Sequence, residues 1–252
     1  MPRPRPYEVA VCIASYNTRR ATEVAIRRVL AQRDVDVQLH VGDSGSTDGS
    51  LVMLHRFADR GLLRLQVAPQ GRSHGEWLDD WTASSEAPLT AFVDSDLFLL
   101  RPRTLRHLLG ALDDDGAILA TCRRVPEITD YVSDLNGDRY RVATRVAPWL
   151  LAFDTQELRA LGASWQYRWE ARPDLPEGAM SWDVGADVDA ALTEAGRPAL
   201  VMPADFDREY VHVGGLSWRA QRDRKVGMRD RVKAAFVDAA LLATRFTSYR
   251  AK

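Results

Sequence analysis

Only three of the 34 basic residues are lysine (Lys225, Lys233 and Lys252), and the 252-residue chain has only two cysteines. The arginine bias reads as genome composition rather than chemistry. Cys12 and Cys122 lie far apart in apolar, strand-like stretches without metal-type spacing, so both read as buried free thiols. No apolar run reaches the roughly 18 residues that span a bilayer. "MPRPRPYEVAV" also lacks the apolar core of a secretory signal, so a cytoplasmic location is the expectation. No G-x-G-x-x-G follows the first strand-like run, which argues against a dinucleotide-binding fold. Internal repeats and low-complexity segments are missing as well.

What remains is a chain long enough to bury a large core, as one α/β domain or two small ones. Its net charge of −1 hides an asymmetry: from Ser217 onward ten Lys or Arg face only Asp223, Asp230 and Asp238. A basic tail of that kind suits an anionic partner. The segment 219–250 reads as a helix with Val232, Phe236, Ala239, Leu242 or Ala243, and Phe246 in one stripe. Such a stripe packs on the domain or on a second subunit, or lies on an anionic membrane.

Residues 8–15, "EVAVCIAS", predict a buried strand, and "RRATEVAIRRVLAQR" predicts the next helix, with Ala21, Val24, Ala25, Val29 and Leu30 roughly at helical spacing. "VDVQLHV", 35–41, alternates as a second strand. A helix over 47–60 opens at Ser46, Thr47 and Asp48 and ends before Gly61. Strand 62–67, helix 75–84, strand 88–93, helix 102–113 and strand 116–122 follow. Strands joined by single helices make right-handed parallel crossovers, so the first half is predicted to be a doubly wound α/β sheet.

Ligands bind such sheets outside the carboxyl ends of the strands. Three of those ends carry unusual chemistry: "ASYN" at 14–17, "GDSGSTDGS" at 42–50 and "DSD" at 94–96. Asp94 and Asp96 interrupt the apolar run "AFVDSDLFL", and two residues apart on an extended chain their like charges point the same way. Something positive should sit between them. Two carboxylates are hard donors that suit magnesium or manganese, which bind through one or two carboxylates plus substrate phosphates. A nucleotide diphosphate bridged by a divalent ion accounts for the pair; a polar turn with a helix cap is the plain alternative.

"VCIASYNTRRATEVAIRRVLAQ", "VGDSGSTDGS" and "FVDSDLFL", at these spacings, resemble the inverting family 2 glycosyltransferases of the GT-A fold, over about residues 8–122. The resemblance implies a Rossmann-like central sheet flanked by helices, an acceptor-binding second half and a C-terminal helix. It implies that Ala14, Ser15 and Tyr16 cradle the nucleobase, that Asp43 hydrogen-bonds it, and that Asp94, Ser95 and Asp96 serve the ribose and the metal. Ser44 stands where the family often has a second acid. The family also suggests Arg72 and His74 as donor contacts, although both could simply serve the turn and the next helix cap. His212, in "REYVHVGGLSWR" before two glycines, is the candidate third metal ligand, against a structural role.

Inversion needs a carboxylate that removes the acceptor proton. "SWDVGADVDAALTEAG", 181–196, offers Asp183 at the expected N-cap of a helix starting about Val184, with Asp187 as second choice. Asp183 as a plain helix cap is the alternative. Trp149, Trp165, Trp169 and Trp182 mark the acceptor region, because aromatic faces suit sugar rings, with core packing the alternative for at least two of them. The divisions expected are 1–123 for the nucleotide-sugar half, 124–218 for the acceptor half and 219–252 for the basic helix. The expected reaction moves a sugar from a nucleotide diphosphate, UDP by default with dTDP or GDP open, to a hydroxyl or amine on a small molecule, glycan or glycolipid. Nothing suggests nucleic acid. The rival readings are a catalytically silent nucleotide-sugar-binding or scaffold module and a nucleotidyltransferase, which needs a glycine-rich loop that "ASYNTRRAT" lacks.

Overall fold

The computed structural model describes residues 6–68, 71–132, 137–214, 216 and 228–244. The first half alternates as β1 (Tyr7–Ser15), α1 (Arg19–Leu30), β2 (Val35–Asp43), α2 (Ser50–Ala58), β3 (Arg64–Val67), α3 (His74–Ser84), β4 (Leu89–Val93), β5 (Leu97–Leu99), α4 (Thr104–Asp115) and β6 (Leu119–Thr121). The second half is more broken. It holds β7 (Arg124–Val125), β8 (Ile128–Val132), β9 (Arg139–Val142), β10 (Arg145–Val146), β11 (Leu150–Asp154), α5 (Thr155–Ala160), β12 (Arg168–Ala171) and β13 (Ala179–Trp182). Then come α6 (Ala186–Glu194), β14 (Leu200–Val201), a 3-10 turn (Ala204–Arg208), β15 (Tyr210–His212) and α7 (Met228–Thr244).

The central sheet has seven strands in the order β14-β6-β11-β4-β1-β2-β3. Strands β4, β1, β2 and β3 are parallel, as the single-helix crossovers require. Strand β11 enters antiparallel between β4 and β6. The chain reaches β11 from β6 through β7 to β10 rather than through one helix, so it returns in the opposite sense and the sheet is mixed.

Both faces are covered, which explains why β1 reads as an apolar run without alternation. Val9, Val11 and Ile13 pack with Ala21, Val24 and Val29 of α1, Leu54 and Phe57 of α2 and Leu105 and Leu108 of α4. Cys12 faces the other way, with Trp77, Leu78 and Trp81 of α3, Leu158 of α5 and Val188 and Leu192 of α6. Trp77 lies so close to β2 that a Cβ on Gly42 would come within 2.7 Å of its ring, so only glycine fits there. Both cysteines are buried and free.

Two helix starts and one helix face bear on the site and differ from the sequence reading. Helix α2 begins at Ser50, because Asp48 accepts hydrogen bonds from the Ser50 and Arg19 amides instead of continuing a helix. Helix α6 begins at Ala186 with Gly185 at its N-cap, so Asp183 is not the cap. Gly185 has φ 92°, and a Cβ there would meet the Val146 carbonyl at 2.5 Å. The third difference lies in α7. Its buried residues are Val237, Leu241 and Thr244, whereas Val232, Phe236, Ala239, Leu242 and Ala243 are exposed. The expected stripe therefore faces outward, although Phe236 stacks on Phe98. Residues 219–227 and 245–250 of the expected helix, Phe246 included, lie outside the described residues.

Candidate active site

The turn Asp94-Ser95-Asp96 connects β4 to β5, so the two acids sit on a bend rather than on an extended strand. The Asp94 amide donates to the Trp149 carbonyl and the Asp94 carbonyl accepts from Leu97, which closes the turn. Strand β15 pairs antiparallel with β5 and sets His212 opposite Leu97. That pairing carries the chain back over the turn. The His212 Nε2 lies 3.3 Å from Asp94 Oδ2 and 3.2 Å from Asp96 Oδ1. Its ring stacks on Trp149 at 5.2 Å between centroids, which fixes its orientation.

One ligand atom from each of Asp94, Asp96 and His212 can be chosen so that all lie within 4.8 Å of one another. Two carboxylate oxygens and an imidazole suit manganese or magnesium. Asp96 also holds its place by accepting from the Leu216 amide and, through its carbonyl, from Val213. Burial pushes the Asp94 carboxyl up, but the hydrogen bond from His212 and the charges of His74 and His212 outweigh it and hold Asp94 below the usual carboxylate range. Burial lowers the His212 imidazole, yet hydrogen bonds to Asp94 and Asp96 raise it to about 9. The two carboxylates thus favour positive charge beside them, which a protonated imidazole or a bound cation can supply.

These residues line a cavity of about 770 Å³. Ala14, Ser15 and Tyr16 from the end of β1 line it, as do Arg72, His74, Ser95 and Asp183. A chain of hydroxyls, Ser15 to Thr22 to Thr18 to Ser95, ties the end of β1 to the acidic turn. The His74 Nε2 is 3.6 Å from Asp94 Oδ1. Arg72 stacks on Trp77, 4.1 Å from its ring, and pairs with Asp80, so its charge is partly engaged already. Ser73 and Glu76 form a capping box at the start of α3, which positions this wall.

Asp43 departs from expectation. It is fully buried, and its carboxylate accepts from the Gly45 and Ser46 amides and from the Ser46 hydroxyl. It shapes its own loop and forms no part of the cavity wall, where Ser44 stands instead. Asn17 adds to the same stitching by accepting from the Thr47 amide while its own amide donates to Ser46 Oγ.

The two candidate bases separate cleanly. Asp183 lies on the wall, 41% exposed, with Oδ1 accepting from the Val184 amide and Oδ2 3.3 Å from Arg145 Nη2. Asp187 is held by Arg168 at 2.9 to 3.2 Å and does not line the cavity. Of the four tryptophans, Trp149 lines the cavity, Trp165 is buried in the core, Trp169 is exposed, and Trp182 is half-buried under the Arg168 guanidinium. Arg145 and Tyr167 also line the cavity. Sequence reading missed both, because an arginine in "ATRVA" or a tyrosine in "WQYRW" has no local signal that sets it apart.

The family model for glycosyl transferase family 2 matches residues 10–167, more than half the chain. The chain belongs to glycosyl transferase family 2. This glycosyltransferase is structurally similar to the mannosyltransferase PcManGT of Pyrobaculum calidifontis, solved with GDP-Man and Mn2+, at a TM-score of 0.58 and 19% identity over 96% of this chain and 75% of that one. It is also similar to S. aureus TarS residues 1–349, solved with UDP-GlcNAc, at a TM-score of 0.53 and 14% identity over 95% of this chain and 68% of that one. No curated protein matches the glycosyltransferase in sequence. The fold is thus the GT-A glycosyltransferase fold expected from the sequence.

Proposed function

We propose that this glycosyltransferase transfers one sugar from a nucleoside diphosphate donor to a hydroxyl or amine acceptor with inversion, using a divalent ion held by Asp94, Asp96 and His212. The observation that carries this reading is the convergence of those three side chains in the cavity that also contains Asp183. A bound manganese or magnesium ion would supply positive charge to the departing diphosphate. Ala14, Ser15 and Tyr16 flank the nucleoside, with His74 beside the acidic turn.

Asp183 is the base. It takes the proton from the acceptor oxygen as that oxygen attacks the anomeric carbon on the face opposite the leaving diphosphate. Its place on the cavity wall favours it over Asp187, which lies off that wall and takes three hydrogen bonds from Arg168. UDP is the first donor to test and GDP the second, in keeping with the UDP-GlcNAc of TarS and the GDP-Man of PcManGT. Among the described residues no helix is long and apolar enough to cross a membrane. The outward stripe of α7, next to the basic tail, supports peripheral contact with an anionic lipid surface.

Release of nucleoside diphosphate from UDP- and GDP-sugars with manganese tests the reading. Asp183→Asn is expected to lower turnover by about 10² to 10⁴ while nucleotide binding persists. Unimpaired turnover in both Asp183→Asn and Asp187→Asn would remove the base assignment.

A further inference from the structure

Beside the main sheet lies a four-stranded sheet of order β12-β13-β9-β8. Strands β12 and β13 are antiparallel, with Arg168 opposite Trp182 and Trp169 opposite Ser181. One step beyond that ladder, the same register sets Tyr167 opposite Asp183. Both line the cavity. Side chains alternate along a strand, so Trp169 and Ser181 share one face, with Tyr167 and Asp183 just beyond the strand ends. Arg168, Glu170 and Trp182, which contact one another, share the opposite face.

The face that begins at the candidate base continues as aromatic surface. Ser181 of β13 pairs with Val142 of β9, which puts Tyr140 on this side, and Tyr131 of β8 pairs with Tyr140. The rings confirm the register: Trp169 and Tyr140 are 4.8 Å apart between centroids, and Tyr140 and Tyr131 are 5.1 Å apart. Tyr167 precedes Trp169 by two residues, immediately before β12 begins. Tyr167 is 54% exposed, Trp169 49% and Tyr131 37%, which is unusual for a contiguous aromatic row.

We propose that this row, Tyr167 to Trp169 to Tyr140 to Tyr131, is an acceptor track for a glycan chain. It would hold sugar units behind the one whose hydroxyl faces Asp183. Flat aromatic faces match the apolar C–H faces of sugar rings, and a row of several rings has room for more than one sugar. Continuity with the cavity distinguishes this surface from an isolated apolar patch. The proposal deepens the transferase reading and rests on it for the role of Asp183.

Maltotriose, cellotriose, chitotriose and mannotriose, each with its monosaccharide, would be titrated into the full chain with UDP and manganese, and again without them. At least one trisaccharide is expected to bind tenfold or more tightly than its monosaccharide. Trp169→Ala and Tyr140→Ala should each abolish most of that advantage, Trp169→Phe should keep it, and nucleotide affinity should change less than twofold. Equal binding of every trisaccharide and its monosaccharide, or an advantage that survives Trp169→Ala, would overturn the track. A dimer in solution that Trp169→Ala converts to monomer would also overturn it, assigning the row to a self-interface. Failure of UDP to bind the wild type would remove the donor reading instead, because the titration without nucleotide still decides the track.

Discussion

Two acid-bearing loops close the same end of the sheet and use their carboxylates in opposite ways. In "GDSGSTDGS", Asp43 and Asp48 accept from backbone amides and nearby hydroxyls, so their charge is consumed in building the loop and starting the helices. In "DSD", Asp94 and Asp96 turn oxygens toward each other and toward His212. An acid at a strand end therefore serves the loop or faces the cavity according to whether local donors occupy both of its oxygens, as at Asp43, or leave one turned outward, as at Asp96. Asp187 and Asp183 differ by position: Asp187, paired with Arg168, lies off the cavity wall, whereas Asp183, 3.3 Å from Arg145, lies on it.

Substituting within the chemical pair should have the largest effect. Asp96→Asn removes a ligand and a charge, and is expected to abolish manganese-dependent nucleotide binding and reduce turnover to background while the fold persists. Nucleotide titration with and without chelator checks this; undiminished metal-dependent binding would reassign the pair as structural. Asp43→Ala should do the reverse. Leaving buried amides without an acceptor costs on the order of 1–3 kcal/mol per group, so a loss of about 3 kcal/mol is expected. At about 2–4 °C per kcal/mol, thermal unfolding would show a fall of roughly 6–12 °C. A stable Asp43→Ala protein that no longer binds nucleotide would return Asp43 to the base-contacting role. Asp187→Asn should matter least: its partly exposed pair with Arg168 predicts a change below about 1 kcal/mol and turnover within a few-fold of wild type, measured by unfolding and product release.

The sheet and its helices were legible because parallel strands buried on both faces are continuous apolar runs, separated by helical periodicity and closed by Gly61. The antiparallel β11 was not, since "LLAFD" has the same apolar character whichever way it runs. The Asp94 and Asp96 pair was legible because two acids interrupt an apolar run, and His212 beside it through the resemblance to family 2 glycosyltransferases. The burial of Asp43 was not legible, because it depends on how Gly45 and Ser46 curl back, and no spacing reports that. Helix α7 misled for another reason: apolar residues occur around much of its circumference, so Val237 with Leu241 competes with Val232 and Phe236 for the inward face.

Thermal unfolding with UDP, dTDP, GDP and ADP, each with manganese and with chelator, tests the central claim most directly. A nucleotide at about 100 times its dissociation constant should add roughly 2.7 kcal/mol. The account predicts a rise of several degrees for at least one nucleotide, present with manganese, absent with chelator and lost in Asp96→Asn. No rise with any nucleotide would contradict a nucleotide-bound metal at Asp94 and Asp96.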